Sequence, residues 1–197
     1  MCAIVGSFTK SKLKELFDIN AYRGQLSYSL ASFDINETLQ VIMQSPGKMS
    51  ENFIDEFPAN FYYIGHSQAP TTEATSIHPA ADHGMLLWHN GIIKQKELPE
   101  NTWDTLWLLN KIKEFGWSYL SEVDGTFACV LYSNYTLYIF RNEISPLFMD
   151  DELNISSTKF DNSKSIEPNT VFRIDITGKK LIPVATFTTK ENPYYFD

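Results

Sequence analysis

Cysteine is the second residue of this chain, directly ahead of the apolar run Ala3-Ile4-Val5-Gly6-Ser7-Phe8, which reads as a buried strand at the very N-terminus. If the initiator methionine is removed, Cys2 carries both a thiol and a free α-amine. A thiol attacks as its thiolate, and a cysteine of ordinary pKa, about 8.5, is only a few per cent ionised at neutral pH. An α-amine titrating near about 7.7–8.0 has the right strength to act as its built-in base, as in amine-activated N-terminal nucleophiles. The competing reading of Cys2 is a small core residue. His78 and His89 have no metal-ligand spacing to another histidine or cysteine, so no metal and no cofactor is expected.

The elements that must position Cys2 follow from periodicity. Residues 10–21 place Leu13, Leu16, Phe17 and Ile19 at near-helical spacing. Residues 26–33 and 38–43 read as strands about the turn-forming Asp34-Ile35-Asn36, and a short helix is expected within residues 45–60. Residues 61–66 form a strand that runs into a Pro- and Thr-rich loop over residues 68–83. A further strand, residues 85–88, is expected to stop at His89-Asn90-Gly91, because an Asn-Gly pair favours a tight turn. Residues 103–115 are spaced for a helix capped by Asn101 or Thr102, with Asp104 in its first turn. Strands are expected at residues 126–132, 136–140, 147–149, 153–156, 170–175 and 181–187, and residues 188–197 as a tail or a packed strap. Helices inserted among this many strands joined by hairpin-length turns predict an α+β protein with antiparallel sheets.

Composition bounds the partners. The 197 residues, 43% hydrophobic and 14% aromatic, suffice for one core, so residues 1–197 read as a single domain. Net charge is −8 and no basic cluster exceeds Lys179-Lys180, so nucleic acid is not an expected partner. No apolar stretch approaches the roughly 20 residues of a bilayer helix, and the N-terminus lacks signal-peptide order, so no membrane is expected and the location reads as cytoplasmic. Cys129, the other cysteine, sits in a strand core and is not expected to pair with Cys2.

Read together in order and spacing, several motifs carry a more specific signal. They are Met1-Cys2-Ala3-Ile4-Val5-Gly6, Tyr22-Arg23-Gly24, Gly65-His66-Ser67-Gln68-Ala69-Pro70-Thr71-Thr72, His78-Pro79, Trp88-His89-Asn90-Gly91, Asp104-Thr105 and Asp124-Gly125-Thr126-Phe127-Ala128, followed by Arg141-Asn142-Glu143-Ile144-Ser145-Pro146-Leu147 and Ile155-Ser156-Ser157. This series resembles the class II glutamine amidotransferases, the N-terminal-nucleophile glutaminase domains, over residues 1–160. The resemblance implies a four-layer αββα sandwich. It implies Cys2 as the nucleophile that forms a γ-glutamyl thioester and releases ammonia, with the Asn90 side-chain amide and the Gly91 N–H stabilising the oxyanion. It further implies that Asp104 binds the substrate ammonium, that Thr71 and Thr72 lie beside the substrate carboxylate, that His78 and His89 line or support the pocket, and that Arg23 and Gly24 order the loop around Cys2.

Two departures stand out. Gln68 occupies the position where the family usually has an arginine for the glutamine carboxylate, and Gln25 follows Arg23-Gly24 where the family has an aspartate. A glutamine donates hydrogen bonds but has neither charge nor guanidinium fork, and the charge-assisted bond it forgoes is worth about 1.5–3 kcal/mol, roughly 10- to 150-fold in affinity. The implied function is a stand-alone glutaminase acting on L-glutamine and passing ammonia to a separate synthase. Two alternatives stay open: hydrolysis of another γ-glutamyl amide, or a catalytically silent binding or regulatory module of this fold.

Overall fold

The computed structural model describes residues 1–50, 52–69, 76–96, 98–99 and 102–190. In chain order the elements are β1 Ala3–Ser7, α1 Lys10–Ile19, β2 Ser27–Phe33, β3 Leu39–Pro46, α2 Phe53–Glu56, β4 Tyr62–Gln68, β5 Ala80–Asp82, β6 Met85–Ile93, α3 Asp104–Phe115, a 3₁₀ segment Trp117–Glu122, β7 Gly125–Ser133, β8 Thr136–Arg141, β9 Phe148–Met149, β10 Ile155–Ser156, β11 Lys164–Ser165, β12 Thr170–Asp175 and β13 Lys180–Thr186. They build two antiparallel sheets. The first runs β11-β9-β10-β1-β4-β2-β3 and the second β13-β12-β8-β7-β6-β5.

Three apolar clusters give the layer order. Ile4, Ala31, Phe33, Tyr62 and Ile64 of the first sheet meet Trp88, Ala128, Val130, Ile139 and Phe172 of the second, so the sheets face each other. Leu13, Leu16 and Phe17 of α1 and Ile54 of α2 cover the outer face of the first sheet at Val5, Leu30 and Tyr63. Trp107, Leu108, Leu109 and Ile112 of α3 cover the second sheet at Leu87, Phe127, Cys129 and Leu131. The result is the expected α+β sandwich with helices outside two sheets. Because both faces are covered, every residue of β1, β2 and β4 is buried, which is why these strands carry apolar and small residues instead of alternating with charge. Each fully buried Leu, Ile or Phe contributes about 1.5–3 kcal/mol.

Helix α1 starts where its sequence predicts. The Thr9 hydroxyl accepts from the Lys12 N–H at 3.2 Å, and Asn20 closes the helix through its backbone N–H. Helix α3 starts differently: its N-cap is Trp103 with no side-chain cap bond, so Thr102 does not cap it, and Asn101 lies outside the described residues.

The larger correction concerns β6. The strand does not stop at His89 but continues through Asn90 and Gly91, paired with Ala128 and Phe127, to Ile93. The long β7 partner supplies ladder bonds along this whole length, and they outweigh the local turn preference of Asn-Gly. The loop expected over residues 68–83 likewise loses Gln68 to β4 and holds β5. At the C-terminal end, Phe187 packs into the α3-side cluster, and Thr189 Oγ1 donates to Asn169 Oδ1 at 2.6 Å; residues 191–197 lie outside the described residues. Among the described residues no helix is long and apolar enough to cross a membrane.

Candidate active site

Cys2 lies immediately before β1, between neighbouring strands β10 and β4, and is 4% exposed. Its sulfur accepts from the Ala69 backbone N–H, just past the end of β4. Burial pushes the thiol above its ordinary value. The Ala69 N–H, the N-terminal ammonium and the Arg23 guanidinium oppose that rise, and the Asp104 carboxylate adds to it.

Arg23 is 7% exposed, and its Nε donates to the Cys2 carbonyl at 2.9 Å. Nη2 reaches the Met1 sulfur at 3.7 Å. Gly24 explains how this loop comes so close: a Cβ there would lie 2.4 Å from the Gln68 carbonyl carbon and 2.5 Å from the Ala69 nitrogen. Glycine at 24 thus lets the loop pack against the very peptide whose N–H reaches the Cys2 sulfur.

From the facing sheet, β6 presents Asn90 and Gly91. Asn90 is 3% exposed, and its Nδ2 donates to Ser157 Oγ at 3.4 Å. At Gly91 a Cβ would meet the Thr126 carbonyl oxygen of β7 at 1.9 Å, so only glycine fits this ladder position. Met1, Arg23, Asn90, Gly91, Ile92, Thr126, Ile144, Ser145 and Pro146 line a cavity of about 370 Å³. Its far wall is rigidly held. Asn142 Oδ1 accepts from the N–H groups of Phe127, Ile144 and Ser145, while buried Arg141 donates to the carbonyls of Asn142, Ser145 and Ile166.

Behind β6 the histidines form one buried network. His66 stacks on His78 with ring centroids 4.0 Å apart, and His66 Nε2 lies 3.1 Å from the His89 carbonyl, to which it donates. His89 Nε2 faces the Thr126 carbonyl at 3.2 Å, so that nitrogen carries the proton and Nδ1 accepts from the Thr105 hydroxyl at 3.1 Å. His78 Nε2 then donates to Thr105 Oγ1 at 3.0 Å, and among the described residues His78 Nδ1 has no partner. Burial drives His66 down to about 3 and His78 well below its ordinary value, so both rings are neutral. Asp104 opens α3 at the end of this network: Oδ2 accepts from the Ile93 N–H at 3.2 Å, tying the helix start to the end of β6.

Gln68 is occupied. Its Oε1 accepts from Ser27 Oγ at 2.6 Å and its Nε2 donates to the Ser76 carbonyl at 3.0 Å, so the carboxamide links β4 to β2 and to residue 76. Thr71 and Thr72 lie outside the described residues. Among the described residues no group of three or more His, Cys, Asp or Glu side chains is placed to hold a metal ion.

Two solved structures share this arrangement of sheets and helices. One is the glutamine phosphoribosylpyrophosphate amidotransferase of B. subtilis, in complex with ADP and GMP, with a TM-score of 0.67 at 17% identity over 93% of this chain and 49% of that one. The other is described as the allosteric regulatory enzyme of purine biosynthesis, with a TM-score of 0.67 at 15% identity over 93% of this chain and 48% of that one. The chain has the N-terminal-nucleophile hydrolase fold. It spans about half the length of either neighbour. No protein-family model and no curated protein matches the sequence.

In this fold Met1, Arg23, Asn90 and Gly91 share one cavity, Arg23 bonds Cys2, and Gly24 packs on the peptide whose N–H reaches the Cys2 sulfur, while His78 and His89 meet at Thr105 and Asp104 is tied to the end of β6. Thr105, Ser157 and the Ala69 N–H are the participants that sequence reasoning left without roles. Thr105 and Ser157 stand within recognised motifs, but their partners are distant in sequence: 27 residues for Thr105 to His78, 67 for Ser157 to Asn90.

Proposed function

We propose that this protein hydrolyses the side-chain amide of L-glutamine through Cys2. The Cys2 thiolate attacks the amide carbon, and the resulting oxyanion accepts from an Asn90 Nδ2 hydrogen and the Gly91 N–H. Collapse breaks the C–N bond, the Cys2 ammonium delivers a proton through water to the leaving nitrogen, and ammonia departs. Water then attacks the γ-glutamyl thioester, giving up a proton to the same amine, to yield glutamate and free thiol. Asp104 holds the substrate ammonium, His78 and His89 support the strand that carries Asn90, and Arg23 steadies the Cys2 carbonyl. The ammonia passes to a separate synthase in this reading.

The observation that carries the proposal is the shared cavity. Met1, the residue bonded to Cys2, lines it together with Asn90 and Gly91 and is 70% exposed, so removing Met1 would leave the Cys2 amine facing the two oxyanion donors. Glutamate release from glutamine by the purified, methionine-processed protein tests it. The proposal expects turnover that Cys2→Ala abolishes; turnover surviving that substitution, or absent from the natural protein with and without added synthase, would contradict it.

A second reading changes the substrate, and the engaged Gln68 carboxamide favours it. With its oxygen engaged by Ser27 and one N–H by the Ser76 carbonyl, this side chain offers a substrate carboxylate no charge and not both of its N–H donors. A larger γ-glutamyl amide would draw on contacts along the apolar wall at Ile92, Ile144 and Pro146 instead. Comparing kcat/KM for glutamine and N-substituted γ-glutamyl amides separates the two, since a preference for glutamine removes this alternative.

A further inference from the structure

The Ser157 hydroxyl is where the nucleophile strand and the oxyanion strand meet. Ser157 follows β10, is 1% exposed, and bonds both backbone groups of Ile4: the Ile4 N–H donates to Ser157 Oγ at 2.9 Å, and the Ser157 N–H donates to the Ile4 carbonyl at 3.0 Å. Ile4 belongs to the strand that Cys2 opens. The same Oγ accepts from Asn90 Nδ2 at 3.4 Å, across the gap between the two sheets.

We propose that Ser157 is a positioning residue that aims the Asn90 carboxamide at the reacting carbonyl and ties that aim to the position of Cys2. This assignment rests on the glutaminase reading above. A primary amide nitrogen carries two hydrogens and can face either way when its carboxamide flips. Ser157 Oγ has two lone pairs; the Ile4 N–H takes one and the Asn90 Nδ2 takes the other, so the amino end of Asn90 is held on the Ser157 side with its second hydrogen free for the oxyanion. One oxygen therefore sets the distance between the nucleophile and its oxyanion donor. An error of about 1 Å in such a distance costs on the order of 10²-fold in rate.

The test is a double-mutant cycle on kcat for Cys2-dependent glutamate release. Ser157→Ala should lower kcat by about 10- to 100-fold with KM within about twofold, because the lost interaction acts in the transition state. Asn90→Ala should lower it by about 10²- to 10³-fold. The Ser157→Ala/Asn90→Ala double variant should be no slower than Asn90→Ala alone, since Ser157 acts through Asn90. Ser157→Thr keeps the hydroxyl and should retain kcat within about threefold of the natural protein. If Ser157→Ala does not fold, Ser157→Cys, a weaker acceptor, takes its place in the cycle with the same direction of change. Unchanged kcat in the single variant, or a double variant whose loss is the product of the two single losses, overturns the Ser157 assignment alone. A natural protein with no Cys2-dependent release overturns the glutaminase reading and this assignment with it.

Discussion

The Cys2 thiol sits in opposed fields, and its behaviour follows from their balance. Burial raises it, the Asp104 carboxylate raises it further, and Arg23 lowers it. Arg23→Gln removes a neighbouring positive charge and so should move the pH profile of Cys2 alkylation by iodoacetamide to the alkaline side. Asp104→Asn removes a negative charge and should move the same profile to the acid side. Peptide mass mapping of labelled Cys2 against pH reads both, and shifts in one common direction would contradict this electrostatic account. In the proposed reaction, an amine freed by removal of Met1 would supply what the buried thiol lacks: a base attached to the nucleophile itself, which would offset a thiol pKa that burial alone makes unfavourable for neutral-pH attack.

At the scale of elements, β6 decides whether the site forms. Gly91 holds a ladder position where a Cβ would lie 1.9 Å from the Thr126 carbonyl, so Gly91→Ala must push β6 from β7 and carry Asn90 with it. A loss of about 1–3 kcal/mol in stability is expected, with turnover falling by more than the stability loss explains; calorimetry beside kinetics measures both. An alanine protein with natural Tm and kcat would show that the strand tolerates the change. The sequence reads well where local chemistry and tertiary context agree. The apolar runs of β2, β4, β7, β8 and β12 are legible as strands, and the spacing of Leu13, Leu16 and Phe17 marks α1. Reading fails where context overrides local preference. Asn90-Gly91 favours a turn in isolation, yet the β7 ladder extends it into strand, and α3 begins at Asp104 without a capping side chain. The candidate site was legible as residue identities, including Cys2, Asn90, Gly91 and Asp104. Its geometry was not, because the Ile4 to Ser157 bond spans 153 residues and no local pattern encodes such a contact.

The whole molecule carries its own signature in the buried neutral histidines His66 and His78. In the unfolded chain a histidine binds a proton as pH falls below about 6.5, whereas His66 in the fold stays neutral down to about 3. The unfolded state therefore binds more protons across that window, so stability is full above pH about 6.5 and falls as pH drops toward 3, by up to about 1.4 kcal/mol per pH unit for His66 alone. Denaturant titrations from pH 7 to 4 should show this decline, and His66→Asn should flatten it; a stability independent of pH over that range would contradict the burial argument. The account's central claim is that Cys2, freed of Met1, is the nucleophile. Incubating the native protein with a chloroketone analogue of glutamine and measuring its intact mass and N-terminal peptide tests this most directly. The account predicts a chain that begins at Cys2 and carries one adduct there, with activity lost in proportion to labelling. A fully active protein that retains Met1, or an inactivating adduct on any residue other than Cys2, would contradict it.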